Sequence, residues 1–458
     1  MKKTLMIFLL MGIAFSGFSQ SEKTTEFHVP VEYYKLDNGL KVVLSQDKTS
    51  PTVIVAVYYN IGFRIEPKDR TGFAHLFEHM MFQGSQNLGK MEFIKLVQEN
   101  GGVLNGSTRF DFTNYFEIVP ANKLETMLWA EADRMKGLEI TQANLTNQQG
   151  VVKNEVKVNV LNQPYGGFPW LDMPQYANTN WYNAHNFYGD LEDLDAASLE
   201  DVESFFNTYY SPNNAVLTVV GDFEIDQAKS WIKEYFAGIP KANLPAAPDI
   251  SEPRQEKEKQ FVKNDSLANK PAIAIAYNMP ERNTPEYYAM GLLDQILVQG
   301  DNALLQKKLV DELGYTSNVS GGINYLGNMF NYNGPMQLMF DITYDSETSK
   351  EEVVNAVDEV IQKLSQEGIT QEMLNDALVK MRSQLYDELG GTFGLGRADL
   401  LSSFALFDDD PSRINELEEQ FKEVTPEIME KTISEYLRKT NRTILTVNPL
   451  LANNEKTN

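Results

Sequence analysis

The chain has no cysteine and only four histidines among its 458 residues. Without cysteine it can form no disulfide bond and carry no lipid-modified cysteine, so its stability must come from packing. Basic residues are also few, because 40 lysines and arginines stand against 64 aspartates and glutamates, a formal net charge of −24. This balance argues against binding to nucleic acids and to anionic membrane surfaces.

The N-terminal apolar run is shorter than a membrane span requires. Two lysines precede the run from Leu5 to Phe15, and small residues follow in "SGFSQ". This order is typical of a secretory signal peptide. We therefore expect a signal peptide over residues 1–19, cleaved after Ser19, and export to the bacterial periplasm. An uncleaved anchor is the alternative.

A proline-rich segment divides the rest of the chain. "PKANLPAAPDISEP", residues 240–253, is typical of a linker. After it, "IAIAYNMPERNTPEYYAMGLLDQILVQGD" resembles "VAVYYNIGFRIEPKDRTGFAHLFEHMMFQGS" from the first half, which indicates an internal repeat. The predicted fold is α+β, with two homologous domains that each pack a mostly antiparallel β-sheet against α-helices. The predicted domains are residues 27–239 and 261–450, with a linker at 240–260.

The motif "AHLFEHMMF" places His75 and His79 four residues apart, with Glu78 just before the second. Residues four apart share one face of a helix, so both imidazoles can bind one metal ion. Two imidazoles and a carboxylate leave an open zinc position for water, and Glu78 can act on that water as general base. The segment is the inverted zincin motif H-x-x-E-H. A surface helix with two incidental histidines is the alternative.

The internal repeat serves as a control for this motif. Aligning its two copies puts other residue types at the motif positions of the second copy: Gly291, Asp294 and Gln295 stand opposite His75, Glu78 and His79. The fold can therefore form without the two histidines.

The segment "NQQGVVKNEVK" supplies a third ligand candidate. With it, the chain resembles the pitrilysin/insulinase family of zinc peptidases, which includes mitochondrial processing peptidase, over about residues 30–450. In that family a glutamate 76 residues beyond the second histidine completes the zinc site, and Glu155 stands at that distance from His79. The resemblance therefore implies one zinc ion per chain, held by these two residues and His75. Manganese or cobalt are alternatives. The repeat puts Gln384 opposite the glutamate.

The segment "NGGVLNGSTRFDFTNYFE" is similar to the edge strand of the family, along which a substrate backbone is added as a β-strand. The resemblance implies that Asn105, Gly106 and Thr108 contact substrate. Ordinary turn and strand residues are the alternative. The remaining histidines, His28 and His185, are assigned to no metal.

The chain departs from the family at two places. Gln148 stands where many members carry a second glutamate, seven residues before the zinc ligand, and we expect this amide beside the metal ligands. Val310 and Ser317 replace the arginine and tyrosine that close onto substrate in active single-chain members. In some family members one subunit carries the zinc motif and a homologous subunit carries the arginine and tyrosine. The resemblance to these members implies a homologous partner that supplies this pair, and it makes this chain the zinc-bearing subunit of a heterodimer.

The predicted function is that of an exported zinc metalloendopeptidase subunit. It would hydrolyse peptides or unfolded polypeptides, with Glu78 as general base. The alternative is a catalytically weak or inactive, peptidase-like structural or binding subunit of an envelope complex. The complete ligand set argues against this alternative, whereas Gln148, Val310 and Ser317 argue for it.

Overall fold

The computed structural model describes residues 28–391 and 394–450, which build two β-sheets with helices packed on them. The predicted signal peptide, residues 1–19, lies outside the described residues. Within the described ranges, no helix combines the length and the apolar character that crossing a membrane requires.

The first sheet has six strands. They are β1 (Glu32–Lys35), β2 (Lys41–Gln46), β3 (Thr52–Tyr59), β4 (Val103–Thr108), β5 (Thr113–Pro120) and β6 (Ala215–Gly221). Their spatial order is β1-β2-β6-β3-β5-β4. Strands β2 and β6 are parallel, and all other neighbours are antiparallel. Strand β4 therefore forms one edge of the sheet.

The second sheet has five strands. They are β7 (Lys259–Asp265), β8 (Ala272–Asn278), β9 (Ser320–Ile323), β10 (Gln337–Thr343) and β11 (Arg442–Pro449), in the order β7-β11-β8-β10-β9. Strands β7 and β11 are parallel, and the other pairs are antiparallel. This is the order and pairing of β2-β6-β3-β5-β4. The predicted α+β fold of two homologous domains is therefore confirmed.

The described part of the first half contains nine helices: α1 (Phe73–Met80), α2 (Glu92–Glu99), α3 (Leu124–Lys136), α4 (Gln142–Val156), α5 (Asp172–Ala177), α6 (Trp181–Ala184), α7 (Leu191–Ala196), α8 (Leu199–Tyr209) and α9 (Ile225–Phe236). A π-helical turn, Lys157–Leu161, continues α4. Short 3-10 turns lie at Phe63–Ile65, Ala121–Lys123 and Pro212–Asn214.

The second half contains α10 (Pro285–Leu297), α11 (Leu304–Gln306), α12 (Lys350–Glu367), α13 (Gln371–Gly390), α14 (Leu395–Phe407), α15 (Leu417–Lys422) and α16 (Pro426–Tyr436). A π-helical turn, Lys307–Glu312, continues α11, and 3-10 turns lie at Pro411–Asn415 and Lys439–Asn441. Residues 240–258, between the halves, form neither helix nor strand. The domain boundaries given above stay predictions.

The first sheet is buried on both faces, which explains the continuous apolar run of β3. Side chains alternate along a strand, so the odd and even positions of β3 face opposite layers. Val53, Val55 and Val57 pack in the core of the first domain, whereas Ile54, Ala56 and Tyr58 pack in the core shared with the second domain. Helix α14 supplies this second cover and contacts β2, β3 and β6.

Candidate metal centre

Helix α1 is fixed at its start by a glycine. Gly72 has a φ of +80°, and a Cβ added to it would lie 2.4 Å from the carbonyl oxygen of Tyr188. Only glycine adopts this conformation readily and leaves room for that carbonyl. Beyond it, the apolar face of α1 is buried in the first domain, through Phe73, Leu76, Phe77 and Met80. This packing turns the opposite face of the helix towards α4.

The structure brings the three predicted ligands together. His75 Nε2 and His79 Nε2 lie 3.4 Å apart. Glu155, on α4, places Oε1 at 3.6 Å from His75 Nε2 and Oε2 at 3.2 Å from His79 Nε2. In the described ranges, no other group of three or more histidine, aspartate or glutamate side chains has its donor atoms within 4.8 Å of one another.

The distances between the donor atoms of these three side chains fit a tetrahedral metal site. With metal–ligand bonds of about 2.0–2.1 Å, neighbouring donors of a tetrahedral zinc site lie roughly 3.3 Å apart. The three distances between the side chains, 3.2 to 3.6 Å, bracket this value. Two imidazole nitrogens and one carboxylate also match the ligand types of hydrolytic zinc sites. The residues present therefore fit zinc.

The protonation states of the ligands favour metal binding. Burial and, to a lesser degree, the neighbouring His79 lower the pKa of His75 from its ordinary value of 6.5 to about 4. The hydrogen bond with His79 is the largest influence on Glu155, and its pKa lies below the ordinary value. Metals bind neutral imidazole and ionised carboxylate, so both groups are in the binding form at neutral pH.

A tyrosine supports the distant glutamate. The hydroxyl of Tyr188 donates to Glu155 Oε1 at 3.3 Å, and its ring lies edge-on to His75 with 5.1 Å between ring centroids. Hydrogen bonds of this kind fix the orientation of a ligating group. The motif gave no indication of Tyr188, because it lies 33 residues beyond Glu155.

Glu78 is held in the same place by the edge strand. Its Oε2 accepts a hydrogen bond from the hydroxyl of Thr108, at the end of β4, at 2.8 Å. Burial raises the pKa of Glu78, and the Thr108 hydroxyl opposes this shift. A carboxylate with a raised pKa is a better proton acceptor at neutral pH. The structure thus places Thr108 against the predicted base rather than on the exposed edge.

The other predicted substrate residues lie on β4. Asn105 is exposed, and Gly106 is buried against Tyr115 of the neighbouring strand. Both residues line a groove of about 990 Å³ between this edge of the first sheet and helices α13 and α14 of the second domain. A groove beside an open sheet edge has the shape that an extended peptide requires.

Gln148 is buried on α4, two turns before Glu155. Its amide nitrogen donates to Asn147 Oδ1 at 2.8 Å. Among the hydrogen bonds of the described residues, none links Gln148 to His75, His79 or Glu155. The predicted place of this amide beside the metal ligands stays a prediction.

The second domain repeats the arrangement with other side chains. Gln295 Nε2 donates to Gln384 Oε1 at 2.8 Å, so the counterparts of His79 and Glu155 also meet. Asp294, the counterpart of Glu78, is buried, and burial raises its pKa to about 7. Amide side chains bind metals weakly, and the second domain thus keeps the geometry of the site without its ligands.

The family resemblance identified two positions in the second domain, Val310 and Ser317. Val310 belongs to the π-helical turn Lys307–Glu312, and Ser317 is exposed. Neither side chain offers a cation or a phenol.

Two family models match parts of this chain. The family model described as "Insulinase (Peptidase family M16)" matches residues 41–180, and the model described as "Peptidase M16 inactive domain" matches residues 196–381. The zinc protease PqqE of Helicobacter pylori is 25% identical over 430 residues, which cover 91% of this chain and 93% of that protein.

Solved structures share the fold. A protease from Helicobacter pylori has a TM-score of 0.84 at 25% identity, over 92% of this chain and 100% of that chain. The periplasmic protease PqqL from Escherichia coli has a TM-score of 0.73 at 18% identity, over 91% of this chain and 47% of that chain. Fold and comparisons define a two-domain protein of the peptidase class. The chain belongs to peptidase family M16, the insulinase/pitrilysin family.

Proposed function

We propose that this chain is a zinc metalloendopeptidase subunit that hydrolyses peptides or unfolded polypeptides. One observation carries the proposal. The donor atoms of His75, His79 and Glu155 have the mutual spacing of a tetrahedral site, and a half-buried carboxylate, Glu78, stands one residue before the second histidine. The matching relative named as a zinc protease supports it.

The metal would be held by these two imidazoles and the Glu155 carboxylate, one ion per chain. When bound, zinc supplies Lewis-acid activation of a water molecule and of the scissile carbonyl group. Glu78 takes a proton from the attacking water and passes it to the leaving amine nitrogen. Thr108 keeps the Glu78 carboxylate in place, because its hydroxyl donates to Oε2 at 2.8 Å.

The substrate would bind as an added strand on β4, with Asn105 and Gly106 beside it. The backbone N–H and C=O groups on the open side of this edge strand would pair with the peptide, which makes binding tolerant of sequence. The groove of about 990 Å³ admits an extended segment rather than a folded domain.

A homologous second subunit would complete the site. Val310 and Ser317 provide neither the arginine nor the tyrosine of active single-chain members, and the PqqL chain is about twice as long as the part matched here. Because the N-terminal segment is typical of a secretory signal, we place this assembly in the periplasm. A catalytically weak structural subunit is the second candidate, which the "inactive domain" model over residues 196–381 favours.

The experiment is peptide hydrolysis by the zinc-loaded chain, alone and with a homologue that carries the arginine and tyrosine. Glu78→Gln removes the carboxylate and keeps the side-chain shape, so we expect activity to fall by at least about 10²-fold while zinc stays bound. Asp294→Asn, the same kind of change at the repeat counterpart, is the matched control and should leave activity unchanged.

Activity only in the mixture, lost in Glu78→Gln, supports the divided-site peptidase. Full activity of the chain alone would reject the partner and keep the peptidase. Unchanged activity in Glu78→Gln, or no zinc binding by the wild-type chain, would reject the proposed mechanism.

A further inference from the structure

A buried carboxylate accepts the first backbone N–H groups of the metal helix. Glu66 is fully buried, and its two oxygens accept hydrogen bonds from the N–H groups of Gly72 at 2.9 Å and Ala74 at 2.5 Å. Negative charge is favoured here, because the first N–H groups of a helix have no acceptor within the helix. Since Ala74 precedes His75, this carboxylate fixes the backbone directly before the first imidazole.

His185 stands beside this carboxylate. Its Nε2 lies 3.6 Å from Glu66 Oε2 and 2.5 Å from the carbonyl oxygen of Phe63. Its Nδ1 lies 3.1 Å from the carbonyl oxygen of Trp181. Carbonyl oxygens only accept hydrogen bonds, so each ring nitrogen faces an acceptor, and this arrangement suits a ring that carries hydrogen on both nitrogens. A buried carboxylate is far less costly beside a cation than alone.

The segment that carries His185 also packs on the metal helix. The His185 ring stacks on Trp181 with centroids 4.3 Å apart and an interplanar angle of 7°. Phe187, two residues further, lies against the His75 ring with centroids 5.2 Å apart. One short segment therefore contacts both the carboxylate that caps α1 and the first predicted ligand.

We propose that Glu66 and His185 form a carboxylate–imidazolium pair whose role is to position His75 for metal binding. This inference rests on the proposed function, since it assigns a role towards the same metal. Both are positioning residues. They act through the first turn of α1 and through Phe187. His185 thus has a role in the site without being a metal ligand.

The test is the zinc Kd, measured by competition with a chromophoric chelator, for wild type, Glu66→Gln, His185→Gln and the double variant. Each single substitution should raise the Kd about 10- to 100-fold, as is usual for groups that orient metal ligands. The zinc Kd of the double variant should be only slightly higher than that of the weaker-binding single variant, because both residues act through one pair. Asp294→Asn removes a buried carboxylate of the second domain and should leave the Kd unchanged.

A Kd within twofold of wild type in both folded single variants would overturn the proposal. A second arm needs no variant to fold and no zinc to bind. In metal-free wild-type protein at pH 7, ¹⁵N NMR of the His185 ring should show hydrogen on both nitrogens, and the Ala74 amide should exchange slowly. With four histidines in the chain, the ring signals are few. A neutral His185 ring would overturn the pair.

These measurements distinguish a failure of the proposed function from a failure of the positioning role. If wild type binds no zinc, the proposed function fails, whereas the ring spectrum and the Ala74 exchange still decide whether the pair exists. If wild type binds zinc and the variants bind it equally well, only the positioning role fails.

Discussion

The burial of His75 makes the stability of the metal-free protein depend on pH. Burial lowers the pKa of His75 in the folded chain from 6.5 to about 4. In the unfolded chain the ring returns to its ordinary value near 6.5. Between these values the unfolded chain binds a proton that the folded chain does not. The contribution of His75 is therefore present above pH 6.5 and is lost as the pH falls towards 4.

The size of this effect follows from the two pKa values. One pKa unit corresponds to about 1.4 kcal/mol, so the full loss is about 3 kcal/mol, of which about 2 kcal/mol falls between pH 7 and pH 5. Urea unfolding of the metal-free protein, in the presence of a chelator, measures it. His75→Gln is the reference. Its amide has no charge at either pH, and the variant keeps every other titrating group.

We expect the free energy of unfolding of wild type to fall by about 2 kcal/mol more than that of His75→Gln between pH 7 and pH 5. Equal losses in the two proteins would refute the argument. So would a direct NMR titration in which the His75 ring of the folded, metal-free protein takes up its proton near pH 6.5.

Four further predictions concern residues of the first domain. Thr108→Val removes the hydroxyl that opposes the raised pKa of Glu78, so the acidic limb of kcat/KM against pH should move to higher pH, and Thr108→Ser should not move it. Tyr188→Phe removes a hydrogen bond to the third predicted ligand and should raise the zinc Kd up to about 10-fold in a competition titration. Gly62→Ala would put a Cβ 2.4 Å from two backbone carbonyl oxygens and should lower the thermal unfolding midpoint. Gly150→Ala meets nothing within 4 Å on α4 and should raise the midpoint slightly.

The parts of the site that the sequence predicted depend on local geometry or on the family resemblance. The spacing of His75 and His79 defines one face of any helix, whatever packs around it. The glutamate at position 155 came from the resemblance, since spacing along the chain alone does not bring a residue 76 positions away to the same point. The internal repeat predicted two domains of like fold, and the shared strand order confirms them.

The contacts that support these residues join segments far apart in the chain. Thr108 reaches Glu78 because β4 lies beside α1. Tyr188 reaches Glu155 because the loop that carries Tyr188 passes the end of α4. No periodicity or local motif encodes such a pair. The same holds for Glu66, which caps helix α1 from six residues before its N-cap residue, Gly72, rather than from the N-cap position itself.

The sequence by itself therefore determined the repeat, helix α1 and the residue types of the proposed zinc site, because these depend on spacing along one helix and on composition. Only the tertiary structure decided which side chains hold those residues in position. A hydrogen bond between remote segments exists only when the packing of the strands and helices around it brings donor and acceptor within about 3 Å.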